Sequence, residues 1–423
     1  MTGRWRRRPE DFVTGTTAGV APTVRRRAAE IVAEVRAGGA SALRRFAQSL
    51  DDLAPEAPLL IERSGLDAAL AALGAPARVR LERVAARIRR FAEAQRACLR
   101  DLSYPVEGGA VGHTARPVAA AGCYAPGGRY PLPSSVLMTA LTARVAGVGR
   151  VWVASPRPTR LTLAAAALAG VDGLLAVGGA QAIAALSYGV GGVDACAVVV
   201  GPGNDYVVAA KLEVAGAVAL DSPAGPSELL VVADGEADPD WIAADLLAQA
   251  EHDPRARPML LATSRRVISA VVTALERQLE ALPTCDVALE ALEQGGLAWC
   301  AGLEAVPRWV DEIAPEHLHL SVASPETLLG ACSNYGTAFL GQRSAEVFGD
   351  YGVGPNHVLP TGGSARAFGG LSIRTFLRWR PWVRLDSTPQ CLVEDVAWLA
   401  EQEGLAGHAA AAQARGANAG ELP

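Results

Sequence analysis

The sequence predicts an α/β protein of two lobes, each a parallel sheet covered by helices, followed by a small C-terminal helical arm. Three observations predict it. From about Val118, short apolar runs alternate with helical segments, and a second series of the same kind opens at Leu229. Strands that are apolar throughout, with a helix between each and the next, form a parallel sheet buried on both faces. The third observation is size, since 423 residues, half of them apolar, suffice for more than one core.

Taken in order, residues 1–115 read as helices joined by polar turns, with a strand-like run at Pro58-Leu-Leu-Ile61. Val24, Ala28, Ile31 and Val35 mark one helix that stops at Gly38-Gly39, and Leu81, Val84, Ile88 and Phe91 mark another. Their arginines lie off the apolar stripe and read as solvated faces. This part is expected to join the second lobe. The first lobe, 116–224, has strands at 118–123, 150–154, 174–177, 197–200 and 217–220, with helices at 134–146, 159–168, 180–188 and 205–215 between them. The second lobe, 225–375, has strands at 229–233 and 259–263. Between these Asp238 caps a helix with Pro239 at its first position, and a longer helix follows near 267–282. In the arm, 376–423, Thr388-Pro389 opens a helix to about Glu403, Gly404 ends it, and an Ala-rich helix starts near His408. So small a piece has no core of its own and must dock on its own chain or on a partner's.

A net charge of −5 and a pI near 5.8 argue against a nucleic-acid partner, although Lys211 is the only lysine among many arginines. Seven scattered cysteines without CxxC spacing indicate neither a disulfide framework nor a zinc ribbon, and fit a reducing compartment. The basic N-terminus lacks an apolar signal region and the Ala-rich stretches are interrupted too often to span a bilayer. The expectation is a cytoplasmic protein with no membrane partner.

Ligands of Rossmann-like sheets sit beyond the carboxyl ends of the strands. Glycines gather there, in Tyr124-Ala-Pro-Gly-Gly128, Val177-Gly-Gly-Ala-Gln181 and Gly201-Pro-Gly-Asn204. Glycine lets a phosphate approach the backbone, and helix N-termini favour anions. None is the dinucleotide fingerprint, because Tyr206 stands where Gly201-x-Gly203 would need its third glycine. Asp221 is only weak support as a ribose contact. Each loop alone could be a tight turn.

Five of the six histidines follow residue 250: His252, His317, His319, His357 and His408. Several have carboxylates close in sequence, in Glu316-His317, Asp350 before His357, and Glu403 before His408. Nitrogen and oxygen donors of this kind suit zinc. On the helix of Leu247-Ala-Gln-Ala-Glu-His252, residues three apart share a face, so Gln249 and His252 can address one ion while Glu251 points elsewhere. A solvated helix end is the plain alternative. His317 and His319 would share a face of an extended segment, with His319 the expected bystander.

The ordered blocks Tyr124-Ala-Pro-Gly-Gly, Pro133-Ser-Ser-Val-Leu-Met138, Val177-Gly-Gly-Ala-Gln181, Val200-Gly-Pro-Gly-Asn204, Ala224-Gly-Pro-Ser-Glu228, Asp245 to Pro254, Ala314-Pro-Glu-His-Leu318, Gly349-Asp-Tyr, Gly354-Pro-Asn-His357 and Glu403-Gly-Leu-x-x-His408 span nearly the whole chain. Together they resemble the histidinol dehydrogenases, which oxidise L-histidinol to L-histidine in two NAD-dependent steps. The resemblance implies that Gln249, His252, Asp350 and His408 bind one zinc and that Tyr124, Gln181 and Asn204 line the NAD site. It implies Glu316 and His317 as the acid/base pair, and Ser227, His357 and Glu403 as substrate contacts beside Gln249, His252, His317, Asp350 and His408. It also implies a homodimer in which the arm of one subunit, with Glu403 and His408, completes the other's site.

The residue types agree with that chemistry. A neutral imidazole such as His317 is a suitable base for an alcohol losing hydride, and Glu316 could activate the water that hydrates the aldehyde. Zinc would orient the substrate's nitrogens. Cys123, the one cysteine inside a matching block, is assigned to strand packing. The departures are Phe91-Ala-Glu-Ala-Gln95, where the family motif is Phe-His-x-x-Gln, the apolar segment 190–196, and Arg378-Trp-Arg-Pro-Trp382. They leave room for a paralogous dehydrogenase of another small amino alcohol or diol. A zinc hydrolase and a silent binding protein are the alternatives from other classes.

Overall fold

A computed structural model describes residues 5–14, 19–50, 53–127, 130–222 and 225–417. Gly128 and Ala224, named above in two motif blocks, lie outside the described residues. The chain divides into two compact units, Met1–Arg96 with Val118–Phe376, and Ala97–Pro117 with Leu377–Pro423.

The larger unit holds two six-stranded sheets. In the first the order is Leu60–Glu62, Gly173–Leu175, Arg150–Ala154, Ala120–Tyr124, Val198–Val200, Ala219–Leu220. All neighbours are parallel except Leu60–Glu62, which pairs antiparallel at the edge. The chain order turns back between Ala120–Tyr124 and Val198–Val200, so the Tyr124 and Gly201 loops leave the sheet at its switch point. The second sheet runs Arg6–Arg7, Gly296–Trp299, Arg257–Ala262, Glu228–Ala233, His317–Ser321, Thr337–Leu340 and is parallel throughout. Along Glu228–Ala233 alternate residues enter opposite cores: Leu229, Val231 and Ala233 one, Leu230 and Val232 the other. That two-sided burial is what an unbroken apolar strand signals.

The N-terminal hundred residues divide differently from the expectation. Among the described residues Arg6–Arg7 pairs into the second sheet, the helix Pro9–Thr14 packs on Val306–Ile313 and the helix Ala75–Ala97 meets residues 352–354 through Arg87 and Phe91, whereas the helix Pro22–Ser49 packs on Gly179–Tyr188 and Asp205–Val214, and Arg63–Ala71 on Arg160–Ala169. The apolar stripe decides this, because Ala28, Ile31, Val32 and Val35 share one core with Ile183, Leu186 and Val207 of the first lobe. The stop expected at Gly38-Gly39 is a kink. Gly39 takes φ 59°, which breaks the helix before it resumes to Ser49.

The smaller unit is a three-stranded antiparallel sheet, Leu377–Leu385, Gly109–Pro117, Leu102–Val106, with helices Gln390–Gln402 and Ala406–Ala417 packed on each other. Its strands correct the helical reading of 97–115 and account for Arg378-Trp-Arg-Pro-Trp382. Pro105 and Pro381 both sit on outer strands, where a missing N–H does least harm. Gly404, at φ 75°, ends its helix as expected. Among the described residues no helix is long and apolar enough to cross a membrane.

Candidate active site

Three loops of the first sheet meet in a cleft of about 660 Å³ lined by Tyr124, Gln181 and Asn204, and further by Ser227 and His252 of the second lobe. Backbone requirements explain the glycines. Gly201 has φ 118°, and a Cβ there would stand 2.0 Å from Tyr124 O. Gly179 has φ 65°, and its N–H donates to the Tyr124 hydroxyl at 3.3 Å. Asn204 caps the helix Asp205–Val214, its Oδ1 accepting from Tyr206 N and Val207 N at 3.1 and 3.2 Å. The helices Gly179–Tyr188 and Asp205–Val214 thus start at the cleft, and their N-termini suit a phosphate-bearing cofactor. Asp221 is spent on structure: it accepts from Gly201 N at 2.7 Å and pairs with buried Lys211, which also donates to Gly201 O and Ser222 O at 3.1 and 3.2 Å.

The second lobe contributes its opposite edge. Ser227, Glu316 and His317 stand at the amino ends of strands Glu228–Ala233 and His317–Ser321, not at the carboxyl ends anticipated from fold geometry alone. The reason is connectivity. A crossover helix runs back against the strands, so the C-terminus of Pro239–Ala250 returns to the amino edge and delivers Gln249 and His252 there. The negative end of that helix dipole favours a cation.

Four residues interlock around this point. His252 Nε2 is 3.8 Å from Asp350 Oδ2, Asp350 Oδ1 is 3.5 Å from His317 Nε2, and His317 Nδ1 is 3.7 Å from Glu316 Oε2. His317 Nδ1 donates to Glu228 O at 3.0 Å, which leaves Nε2, buried and without a hydrogen-bond partner, as the nitrogen facing the site. Glu316 Oε2 accepts from Glu228 N at 2.9 Å, so the backbone of one residue, Glu228, positions both members of the pair. Burial pushes the Glu316 carboxyl up to about 8. For His317 burial works to lower the pKa, but Glu346, Glu316 and Asp350 raise it well above its ordinary value. Burial works to raise the Asp350 pKa, but the neighbouring imidazoles, His317 at 3.5 Å foremost, hold it below the usual range.

Glu346 was not foreseen. It lies four residues before Asp350 in the short helix Glu346–Tyr351, and its carboxylate, the Asp350 carboxylate and the His252 imidazole offer ligand atoms within 4.8 Å of one another. Gln249, fully buried, donates its amide nitrogen to Glu346 Oε1 at 2.6 Å and Oε2 at 3.3 Å in the orientation that pairs donors with acceptors. Glu228 was missed too. It binds Arg257 at 2.8 Å and accepts from Gly362 N at 3.1 Å, and Arg257 ties down Phe12 O.

His357 donates Nδ1–H to Asp350 O at 3.0 Å and accepts from Ser135 Oγ at 3.1 Å, while Asn356 donates to Met138 O at 2.7 Å. Burial lowers the His357 pKa, so its imidazole is neutral. The motif blocks at 133–138 and 354–357 are therefore two sides of one junction. His319 is buried beside Asp245 (3.1 Å) and donates to Gly341 O at 3.0 Å. Glu403 and His408 lie exposed in the smaller unit.

The His252 imidazole and the Asp350 and Glu346 carboxylates gather within 4.8 Å of one another, with the Gln249 amide against Glu346, a nitrogen and oxygen donor set of the kind zinc takes. The family model for histidinol dehydrogenase matches residues 16–416. This chain belongs to the histidinol dehydrogenase family. Histidinol dehydrogenases of Thermus thermophilus and Parasynechococcus marenigrum are 45% and 42% identical over 92% and 91% of this chain and 93% and 89% of theirs. The crystal structure of histidinol dehydrogenase from Elizabethkingia anophelis superposes with a TM-score of 0.90 at 30% identity, covering 96% of this chain and 95% of that one. Family membership makes the chain an NAD-dependent oxidoreductase of histidine biosynthesis and sets aside the hydrolase and silent-binder alternatives. The departure at Ala92 is a buried position in the helix Ala75–Ala97, whose Arg87 donates to Gly352 O and whose Phe91 stands beside Gly354, between Asp350 and His357.

Proposed function

We propose that this chain works in the cytoplasm as a homodimer, oxidising L-histidinol through the aldehyde to L-histidine with two molecules of NAD and one zinc per site. The observation that supports it most is the run of contacts from His252 through Asp350 to His317 and Glu316, opening on the cleft of Tyr124, Gln181 and Asn204. Gln249, His252 and Asp350 would hold zinc with His408 of the partner subunit. Tyr124, Gln181 and Asn204 would receive NAD, and Ser227, His357 and Glu403 the substrate. When bound, zinc supplies positive charge that holds the substrate's nitrogens and offsets the carboxylates that keep His317 protonated, and NAD supplies the hydride acceptor.

His317 Nε2, its tautomer set by Glu228 O, takes the hydroxyl proton as hydride leaves the carbinol carbon, giving the aldehyde. Glu316 then takes a proton from water as the water oxygen bonds to the aldehyde carbon, and protonated His317 gives its proton to the carbonyl oxygen. The hydrate loses a second hydride, to the second NAD, and a hydroxyl proton, to His317, and the carboxylic acid ionises. The Cys123 thiol takes no part, since it is fully buried and burial pushes its pKa up to about 12. The zinc-loaded protein should form two NADH per L-histidinol consumed. A stoichiometry of one, or no turnover with zinc and NAD present, would sink the reading. A higher kcat/KM on another amino alcohol or diol would replace the substrate with that of a paralogue.

A further inference from the structure

Glu346 has no part in the chemistry above, yet it sits in the middle of the site with 2% of its surface exposed. Four residues apart on one helix, Glu346 and Asp350 point the same way. An amide side chain presents an oxygen and a nitrogen of nearly equal shape, and only the oxygen can bind a cation. Something must therefore choose the orientation of Gln249. Gln249 is wholly buried, and its nitrogen meets both Glu346 oxygens at 2.6 and 3.3 Å. The other near neighbour, His317 Nδ1 at 3.7 Å from Glu346 Oε1, already gives its proton to Glu228 O, which leaves the Glu346 carboxylate to the amide.

We infer that Glu346 is a positioning residue that takes the Gln249 amide nitrogen and so commits the Gln249 oxygen to the metal. The inference rests on the metal reading given under Proposed function. Partners of metal ligands fix ligand orientation in this way, and losing one costs on the order of 10- to 100-fold in metal affinity.

The test uses the full-length protein, stripped of metal and titrated with Co2+ and Zn2+ against a chromophoric chelator, with the visible spectrum of the cobalt form as a second readout. Glu346→Ala leaves the amide free to turn and should weaken binding by roughly 10- to 100-fold, with a changed cobalt spectrum. Glu346→Gln keeps an oxygen that accepts from Gln249 and should stay close to the parent in both readouts. Should Glu346→Ala fail to fold, Glu346→Leu takes its place, keeping the volume without an acceptor. The inference is overturned if the variant without an acceptor binds cobalt like the parent. It is equally overturned if Glu346→Gln is as weak as Glu346→Ala, because charge or direct ligation would then explain the loss. If the parent itself binds no cobalt, the metal reading fails first, and the two failures are thereby distinguished.

Discussion

Burial pushes the Glu316 carboxyl up to about 8, and this sets a sign for both activity and stability. Glu316 accepts a proton only when ionised, so kcat should rise with pH through about 8 and fall on acidification. For stability, the folded metal-free protein keeps a proton that the unfolded chain releases near its ordinary value of 4.5. Over that window the folded state binds more protons, so Glu316 makes the metal-free protein less stable as pH rises towards 8. Glu316→Gln should remove the rising limb, lower kcat by about 10²- to 10⁴-fold and leave NAD affinity unchanged, as read from pH profiles and NADH titration. At this scale residue type and spacing made part of the cluster legible: His252 stands with Asp350, while Gln249 lies against Glu346. Glu346 was not legible, because an acidic residue starting a short helix is ordinary and only the fold brings it against a glutamine nearly a hundred positions earlier.

The Gly201 loop depends on one buried pair. Asp221 takes the Gly201 N–H and Lys211 takes the Gly201 carbonyl, so the two side chains grip both ends of a residue held at positive φ. Lys211→Met would leave Asp221 charged and unpaired, and should lower the unfolding free energy by about 3–5 kcal/mol in urea titration. The double variant Lys211→Met with Asp221→Asn should recover part of that loss, since no lone charge remains and the asparagine oxygen can still accept from Gly201 N. If the single variant is as stable as the parent, the pair does not secure the loop. The parallel strands of the first sheet with their helices, and in the second the strands Glu228–Ala233 and Arg257–Ala262 with the helices Pro239–Ala250 and Arg265–Leu279, were legible because apolar runs and periodicity report burial directly, whereas the strands Gly296–Trp299 and Thr337–Leu340 were not assigned. The strands Leu102–Val106, Gly109–Pro117 and Leu377–Leu385 were missed because largely exposed antiparallel strands rich in Arg, Pro and Gly carry no apolar run.

At the scale of the whole molecule, Gln249, His252 and Asp350 belong to the larger unit, while Glu403 and His408 belong to the smaller one and are exposed. If the arm of one subunit completes the other's site, a heterodimer of His408→Ala and His317→Ala subunits should regain about half the parental site count, because one composite site escapes both substitutions. Activity that stays at the level of the two parent variants in a verified heterodimer would exclude sharing. By itself the sequence determined that the chain forms two α/β lobes with parallel sheets, and the residue types for an alcohol and aldehyde oxidation, because burial pattern and donor chemistry are local properties. Only the tertiary structure decided that the N-terminal helix Pro22–Ser49 covers the first lobe, that Ser227, Glu316 and His317 stand at the amino edge of the second sheet, and that Glu346 faces Gln249. Each of those depends on which surfaces meet after long-range packing, and no local pattern encodes a meeting between residues so far apart in the chain.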